Sequence, residues 1–352
     1  MKKLFLSAAF LAASLASQAQ QAPLWMRYPA ISPDGKTIVF SYKGDIYSVP
    51  ATGGEARQLT TNAAHDSYPI WSPDGKKIAF ASNREGSFDV YVMSAHGGAP
   101  TRITTNSERE IPVAFKDNDH VLFSANIMPT AESNLFASRE FSQVYEVSTQ
   151  GGRPKLYSVI PMEDISINAK GQVLYHDSKG YEDQWRKHHT SPITRDIWML
   201  DNGKYQKITA FKGEDRTPVW AADGESFYYL SEQAGSFNIY HRNIATSKDV
   251  QLTHEKKNPI RFLTSSADGL LCYGYDGEIY TVKEGAQPQK VNISITADND
   301  EPSLVRQVRS WGATEIALSP DAKEVAFVMH GDTCVTSTDD KTNTRITNKP
   351  QQ

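Results

Sequence analysis

The chain predicts an all-β fold: a six-bladed β-propeller of four-stranded antiparallel blades, followed by one extra blade. Three observations carry that expectation. A short motif returns about every 40 to 53 residues, starting near Ser32, Ser72, Phe115, Ile167, Trp220, Ser265 and Leu318, and such a period marks stacked repeats rather than a single ordinary core. Each copy holds several apolar, period-two segments separated by turn residues. A polar stretch without that pattern, Asn292–Gly312, separates the sixth copy from the seventh.

The second copy shows how a blade is built. Tyr68-Pro69-Ile70-Trp71 is a short strand and Ser72-Pro73-Asp74-Gly75 a turn. Pro presets φ, Asp suits the next position and Gly the last, as a type I turn requires. Lys77–Ala81 and Asp89–Met93 are the next strands, Gly97-Gly98 turns tightly, and Thr101-Arg102-Ile103-Thr104 closes the unit. Four strand–turn cycles per repeat are the propeller signature. A parallel β-helix has shorter repeats and lacks those cycles. One sheet cannot bury both of its faces, so several copies must stack.

The expected boundaries are residues 1–19 as a signal peptide, 22–291 as the six-bladed ring, 292–312 as a linker and 313–352 as the first blade of an incomplete second propeller. Lys2 and Lys3 precede the apolar run Leu4–Leu15, and Ser17-Gln18-Ala19 supplies small residues for cleavage. That run is too short to span a bilayer, so export to the periplasm or medium is expected, with no membrane contact afterwards. The seventh copy ends where another blade should begin, so the chain reads as truncated.

Composition narrows the partners. A net charge of −4 gives no basic footprint for nucleic acid. Cys272 and Cys334 lie in strand-like segments of different repeats; a disulfide and two free thiols both remain open, with buried thiols the simpler reading.

In an up-and-down blade the first and third turns share one side, and the second turn and the blade-to-blade link share the other. The second turn swells in the third copy (Ile127–Phe141) and in the fourth (Lys179–Ile193). Both insertions therefore project from one face, the expected functional face. The candidate contact residues are Arg139 in the first insertion and Trp185, Arg186, Lys187 and His188 in the second. Arg186 and Lys187 could grip a carboxylate. His188 and His189 make poor co-ligands, because adjacent side chains on an extended segment point opposite ways, so no metal and no cofactor is expected. Asp298–Glu301 matches no calcium loop and reads as a solvated linker. The recurring Tyr47, Tyr91, Tyr145, Trp198, Tyr240 and Tyr280 read as blade packing rather than a sugar platform. No Gly-x-Ser-x-Gly elbow, no His-Glu-x-x-His pair and no phosphate loop occurs.

The segment Gly180-Tyr181-Glu182-Asp183-Gln184-Trp185-Arg186-Lys187-His188-His189-Thr190-Ser191, followed by Thr194-Arg195-Asp196-Ile197-Trp198, resembles the amino-terminal region of exported bacterial tricorn protease homologues. The blade motif alone is shared with TolB-like propellers. The resemblance implies a larger serine peptidase, assembled into homo-oligomers, whose later propeller, PDZ-type and catalytic domains lie outside this sequence. It implies that this portion guides or gates peptides and docks the other domains, with no catalytic residue of its own. A stand-alone TolB-like protein-binding propeller and an enzyme with a channel active site are the alternatives.

Overall fold

A computed structural model describes residues 23–126, 142–180, 190–296, 311–329, 332–339, 341 and 343–347. The signal segment and most of both insertions lie outside these. The chain divides into two compact units between Thr296 and Ala297.

The first unit holds six sheets in chain order. Sheet 1 runs Arg27–Ile31, Thr37–Tyr42, Asp45–Pro50 and Gly54–Gln58. Sheet 2 is Asp66–Trp71, Lys77–Glu85, Ser87–Ser94 and Thr101–Arg102. Sheet 3 is Glu110–Phe115, His120–Ala125, Gln143–Ser148 and Lys155–Ser158, and sheet 4 is Met162–Ile167, Val173–Asp177, Ile197–Asp201 and Lys204–Lys207. Sheet 5 is Asp215–Trp220, Ser226–Ser231, Asn238–Asn243 and Lys248–Gln251; sheet 6 is Arg261–Ser265, Leu271–Tyr275, Glu278–Val282 and Gln289–Lys290. Each is antiparallel with its strands in sequence order. The first strands of consecutive sheets lie side by side, and that of sheet 6 lies against that of sheet 1. The first strands therefore surround an axis, and the fourth strands lie outermost. This is β-propeller architecture.

Period-two alternation explains the stacking. Ile38 and Phe40 face sheet 6, whereas Val39 between them faces sheet 2. Each junction between neighbouring sheets holds one apolar cluster. The recurring aromatics belong to that packing: Tyr47 stacks on Phe40 at 5.8 Å, Tyr91 on Phe80 at 6.0 Å and Tyr145 on Phe123 at 5.6 Å between ring centroids. Polar bonds also cross the junctions. The Trp71 indole donates to the Ala30 carbonyl at 2.9 Å, and Trp220 to that of Ser166 at 3.1 Å.

The repeat's polar letters have specific work. In the turns, Ser32, Ser72 and Ser266 each donate their hydroxyl to the Asp two residues on. The closing Thr fastens the blade from the other end. The Thr253 Oγ1 accepts the Ile239 amide at 2.8 Å and donates to Asn238 at 3.0 Å. Thr60 repeats this with Ile46 and Asp45.

One feature lies inside the stretch expected to be linker. Ile293–Ile295 pairs in parallel with Gly54–Gln58, adding a fifth strand to the outer edge of sheet 1. Gly53, at φ +88°, passes so close that a Cβ there would sit 2.6 Å from the Asn292 carbonyl oxygen.

The second unit contains a sheet of Ala313–Leu318, Glu324–Met329, Asp332–Ser337 and Asn343–Arg345, again antiparallel in sequence order. Its Ile316 and Leu318 are 70% and 60% exposed. Both cysteines are free thiols; Cys272 is buried and Cys334 half-buried.

Candidate functional site

Arg139, Trp185, Arg186, Lys187 and His188 all lie outside the described residues. What is described is how their insertions are rooted. Both run between the second and third strands of their sheets, from Ala125 to Gln143 and from Asp177 to Ile197, so both leave from the same face. The second root is stapled by charge: Lys179 bonds Asp196 and the Thr194 carbonyl, Lys207 bonds Asp196, and the Trp198 indole and the Asp196 amide both donate to Asp177.

A cluster of polar and aromatic side chains, some buried and some exposed, is gathered instead along and behind the first strands, around the axis. Each of these strands has an irregular register with its neighbour, and such a bulge re-aims a side chain. In five sheets the bulged residue has a positive φ without being Gly: Tyr28 (52°), Tyr68 (55°), Asp164 (49°), Thr217 (50°) and Phe262 (59°). Sheet 3 has Pro112 at this place, and its ring holds φ negative. Three of the five precede Pro29, Pro69 and Pro218, which disfavours right-handed helical backbone at the residue before.

These positions divide the wall. Sheets 6, 1 and 2 supply an aromatic arc: Tyr28 lies 4.8 Å from Phe262 and 4.0 Å from Tyr68 between ring centroids, and its hydroxyl donates to that of Tyr68 at 3.0 Å. Arg109 donates to the Tyr68 hydroxyl at 3.2 Å and lies over the rings of Tyr68 and Phe88. Burial, followed by the neighbouring Tyr68, pushes the Tyr28 phenol well above its usual range.

Sheets 4 and 5 supply a charged arc. Thr217 donates its hydroxyl to Asp164 at 2.7 Å, and its amide points at His176 Nδ1 at 3.3 Å. His176 Nε2 meets Glu163 at 3.0 Å, and Arg195 Nε reaches the same carboxylate at 3.3 Å. Arg216 pairs with Glu214 at 2.7 Å and lies over Phe237. Burial alone would push the Glu163 carboxyl up; the His176 hydrogen bond and the charges of His176 and Arg195 outweigh it and hold Glu163 at about 2.

Thr217 spends its proton on Asp164, and both His176 nitrogens are engaged, so His176 does not activate the Thr217 hydroxyl. One serine–histidine–carboxylate chain does exist elsewhere: His241 lies 2.8 Å from Ser226 Oγ and 3.1 Å from Glu284. Ser226 is 1% exposed and donates to Asp223 at 2.7 Å. That chain closes a turn, because Ala221 stands where sheets 1, 2 and 6 place Ser32, Ser72 and Ser266. A nucleophile must be free to reach a carbonyl and be deprotonated by its base, and Ser226 meets neither condition. Among the described residues no group of three or more His, Cys, Asp or Glu could hold a metal ion, and no helix is long and apolar enough to cross a membrane.

The tricorn protease crystal structure matches with a TM-score of 0.67 at 19% identity, over 93% of this chain and 32% of that one. The chain thus spans about a third of that protein's length. TolB from Acinetobacter baumannii (TM-score 0.48, 13% identity, 90% of this chain and 77% of that one) and puromycin hydrolase (0.49, 13%, 97% and 56%) are also similar. No curated protein matches the sequence. Residues 23–288 match the family described as tricorn protease N-terminal beta propeller domain. That match takes in all six axial strands, and the chain belongs to this family.

Proposed function

We propose that the chain is the non-catalytic propeller portion of an exported tricorn-like serine peptidase, and that its axial wall guides or gates peptides. The observation that carries this is the two-sided lining: an aromatic arc of Phe262, Tyr28 and Tyr68 beside a charged arc from Glu163 to Arg216. Rings accept apolar side chains, and fixed charges and amides hold polar backbone. Six blades are supported by the six junction clusters. A second propeller beginning at residue 313 is supported by the exposed Ile316 and Leu318, whose repeat counterparts face a neighbouring sheet. The insertions carrying Arg139 and Trp185 to His188 dock the remaining domains on the same reading.

The test places a photo-crosslinking benzophenone side chain at Tyr68 in the purified chain and exposes it to a mixed peptide pool. Crosslinked peptides, reduced at least five-fold by an Arg109→Ala partner substitution, are expected. Absence of capture, or capture at an outer-strand control position such as Tyr205 to the same extent, would refute passage along the axis.

A further inference from the structure

The repeats differ from one another at one buried carboxylate, and the difference leaves a cavity. Asp66 in sheet 2 and Asp215 in sheet 5 occupy the same register position, opposite Ser82 and Ser231. Both are sealed from solvent. In sheet 2 the residue two beyond Ser82 is Arg84, whose guanidinium grips both oxygens of Asp66 at 3.1 and 2.9 Å and lies over the rings of Tyr91 and Phe80. In sheet 5 the residue two beyond Ser231 is Gln233, and Tyr229 takes the place of Phe80. The guanidinium is gone.

What stands there is a cavity of about 260 Å³ lined by Asp215, Tyr229, Gln233, Arg242, Asp249 and Phe211. Neither carboxylate oxygen of Asp215 has a partner in full hydrogen-bonding geometry; the Ser231 and Thr209 hydroxyls are near, and Asp196 and Asp249 are the neighbouring charges. Those two acids are already matched, Asp249 by Arg242 at 2.6 Å and Asp196 by Lys179 and Lys207. The cavity therefore carries one carboxylate in excess, an aromatic wall and the footprint of an absent arginine head group. We propose that it binds a guanidinium group, supplied by an arginine side chain of a polypeptide or by a small alkylguanidine, in the manner of Arg84 on Asp66.

Burial has pushed the Asp215 carboxyl up to about 7, so a bound cation that restores its charge must expel a proton. At pH 7 the release is about half a proton per ligand, and it vanishes by pH 9.

The experiment is calorimetric titration of the whole chain with propylguanidinium and with an arginine-containing tripeptide, in buffers of different ionisation enthalpy. Saturable binding is expected, weakened at least ten-fold by Asp215→Asn and abolished by Gln233→Arg, which fills the cavity as Arg84 does and raises the melting temperature. A tripeptide that binds more tightly than propylguanidinium identifies a polypeptide as the source; equal binding identifies the head group as sufficient. Absence of saturable binding, equal binding by Asp215→Asn, equal affinity for butylammonium, or binding retained by a folded Gln233→Arg variant would each overturn the assignment.

Discussion

Gly53→Ala tests whether the parallel strand Ile293–Ile295 holds sheet 1 in place. The control is Gly97→Ala, at the same turn position of sheet 2. Both glycines have left-handed backbone, φ +88° and +81°, so both substitutions cost about 1–2 kcal/mol from backbone strain alone. At Gly97 the added methyl meets Leu59 and Arg57 atoms at ordinary distances of 3.5 and 3.6 Å. At Gly53 it would lie 2.6 Å from the Asn292 carbonyl, the same oxygen that accepts the Gly54 amide at 2.9 Å. The strand must then move. Losing that hydrogen bond costs about 1 kcal/mol, and re-exposing Ile293 and Ile295, now 7% and 8% exposed, costs up to about 1.5–3 kcal/mol each. An excess of about 2–5 kcal/mol over Gly97→Ala is therefore expected. For a unit of this size that is a melting temperature roughly 5–15 °C lower. Circular dichroism melts of the two variants, side by side, are the assay. Melting within about 1 °C of each other would show that the parallel strand contributes nothing to the first unit.

Arg84→Met strands the buried Asp66 carboxylate, and a loss of about 3–5 kcal/mol in urea unfolding is expected; a loss below about 1 kcal/mol would contradict the pairing. Thr253→Val keeps shape but leaves the Ile239 amide without its acceptor and takes away one of the two donors to Asn238 Oδ1, which keeps the Glu255 amide, with an expected cost of about 1–3 kcal/mol, read from the same unfolding curves. Stability should also depend on pH. Burial pushes Glu110 and Asp215 each up to about 7, so the folded chain keeps protons that the unfolded chain has released. Their contribution is full below the usual carboxylate range and is lost as pH rises through 7. Glu163, held at about 2, acts oppositely, and its contribution is lost as pH falls from about 4.5 towards 2. Urea midpoints across pH 3–8 should therefore fall on both sides of a maximum at about pH 4, and Glu110→Gln should flatten the neutral limb. An unchanged limb in that variant would remove Glu110 from the account.

The sheets were legible in the sequence because their cues are local. Ser72-Pro73-Asp74-Gly75 and Gly97-Gly98 announce their turns, and the apolar alternation around Tyr91 announces its strand. The even recurrence of Tyr47, Tyr91 and Tyr145 also pointed correctly to packing. The axial wall was not legible. A bulge shifts which side chain faces which way, so strict alternation misplaces Tyr28, Tyr68 and Asp164. The one available signal was the residue-before-proline pattern at Tyr28-Pro29, Tyr68-Pro69 and Thr217-Pro218. Ile293–Ile295 gave no cue, since three residues are too few for a periodicity and its partner strand is some 240 positions away. The Asp215 cavity could be seen only by overlaying sheet 5 on sheet 2, because a Gln in place of an Arg is unremarkable until the carboxylate it deserts is found.

The four antiparallel strands of each sheet in the first unit come from one uninterrupted stretch of chain, and sheet 1 alone among the described sheets takes a further strand, Ile293–Ile295, from beyond sheet 6. Both ends of the described part of that unit sit on sheet 1: Met26 leads into its axial strand, and Ile295 lies on its outer edge beside Ala56. Crossing from one to the other traverses four strands, roughly 15–20 Å, which about six extended residues can bridge. The order in which the sheets are synthesised is thus separable from the order in which they stand, and a circularly permuted gene opened in the link after Thr104 should rebuild the same assembly.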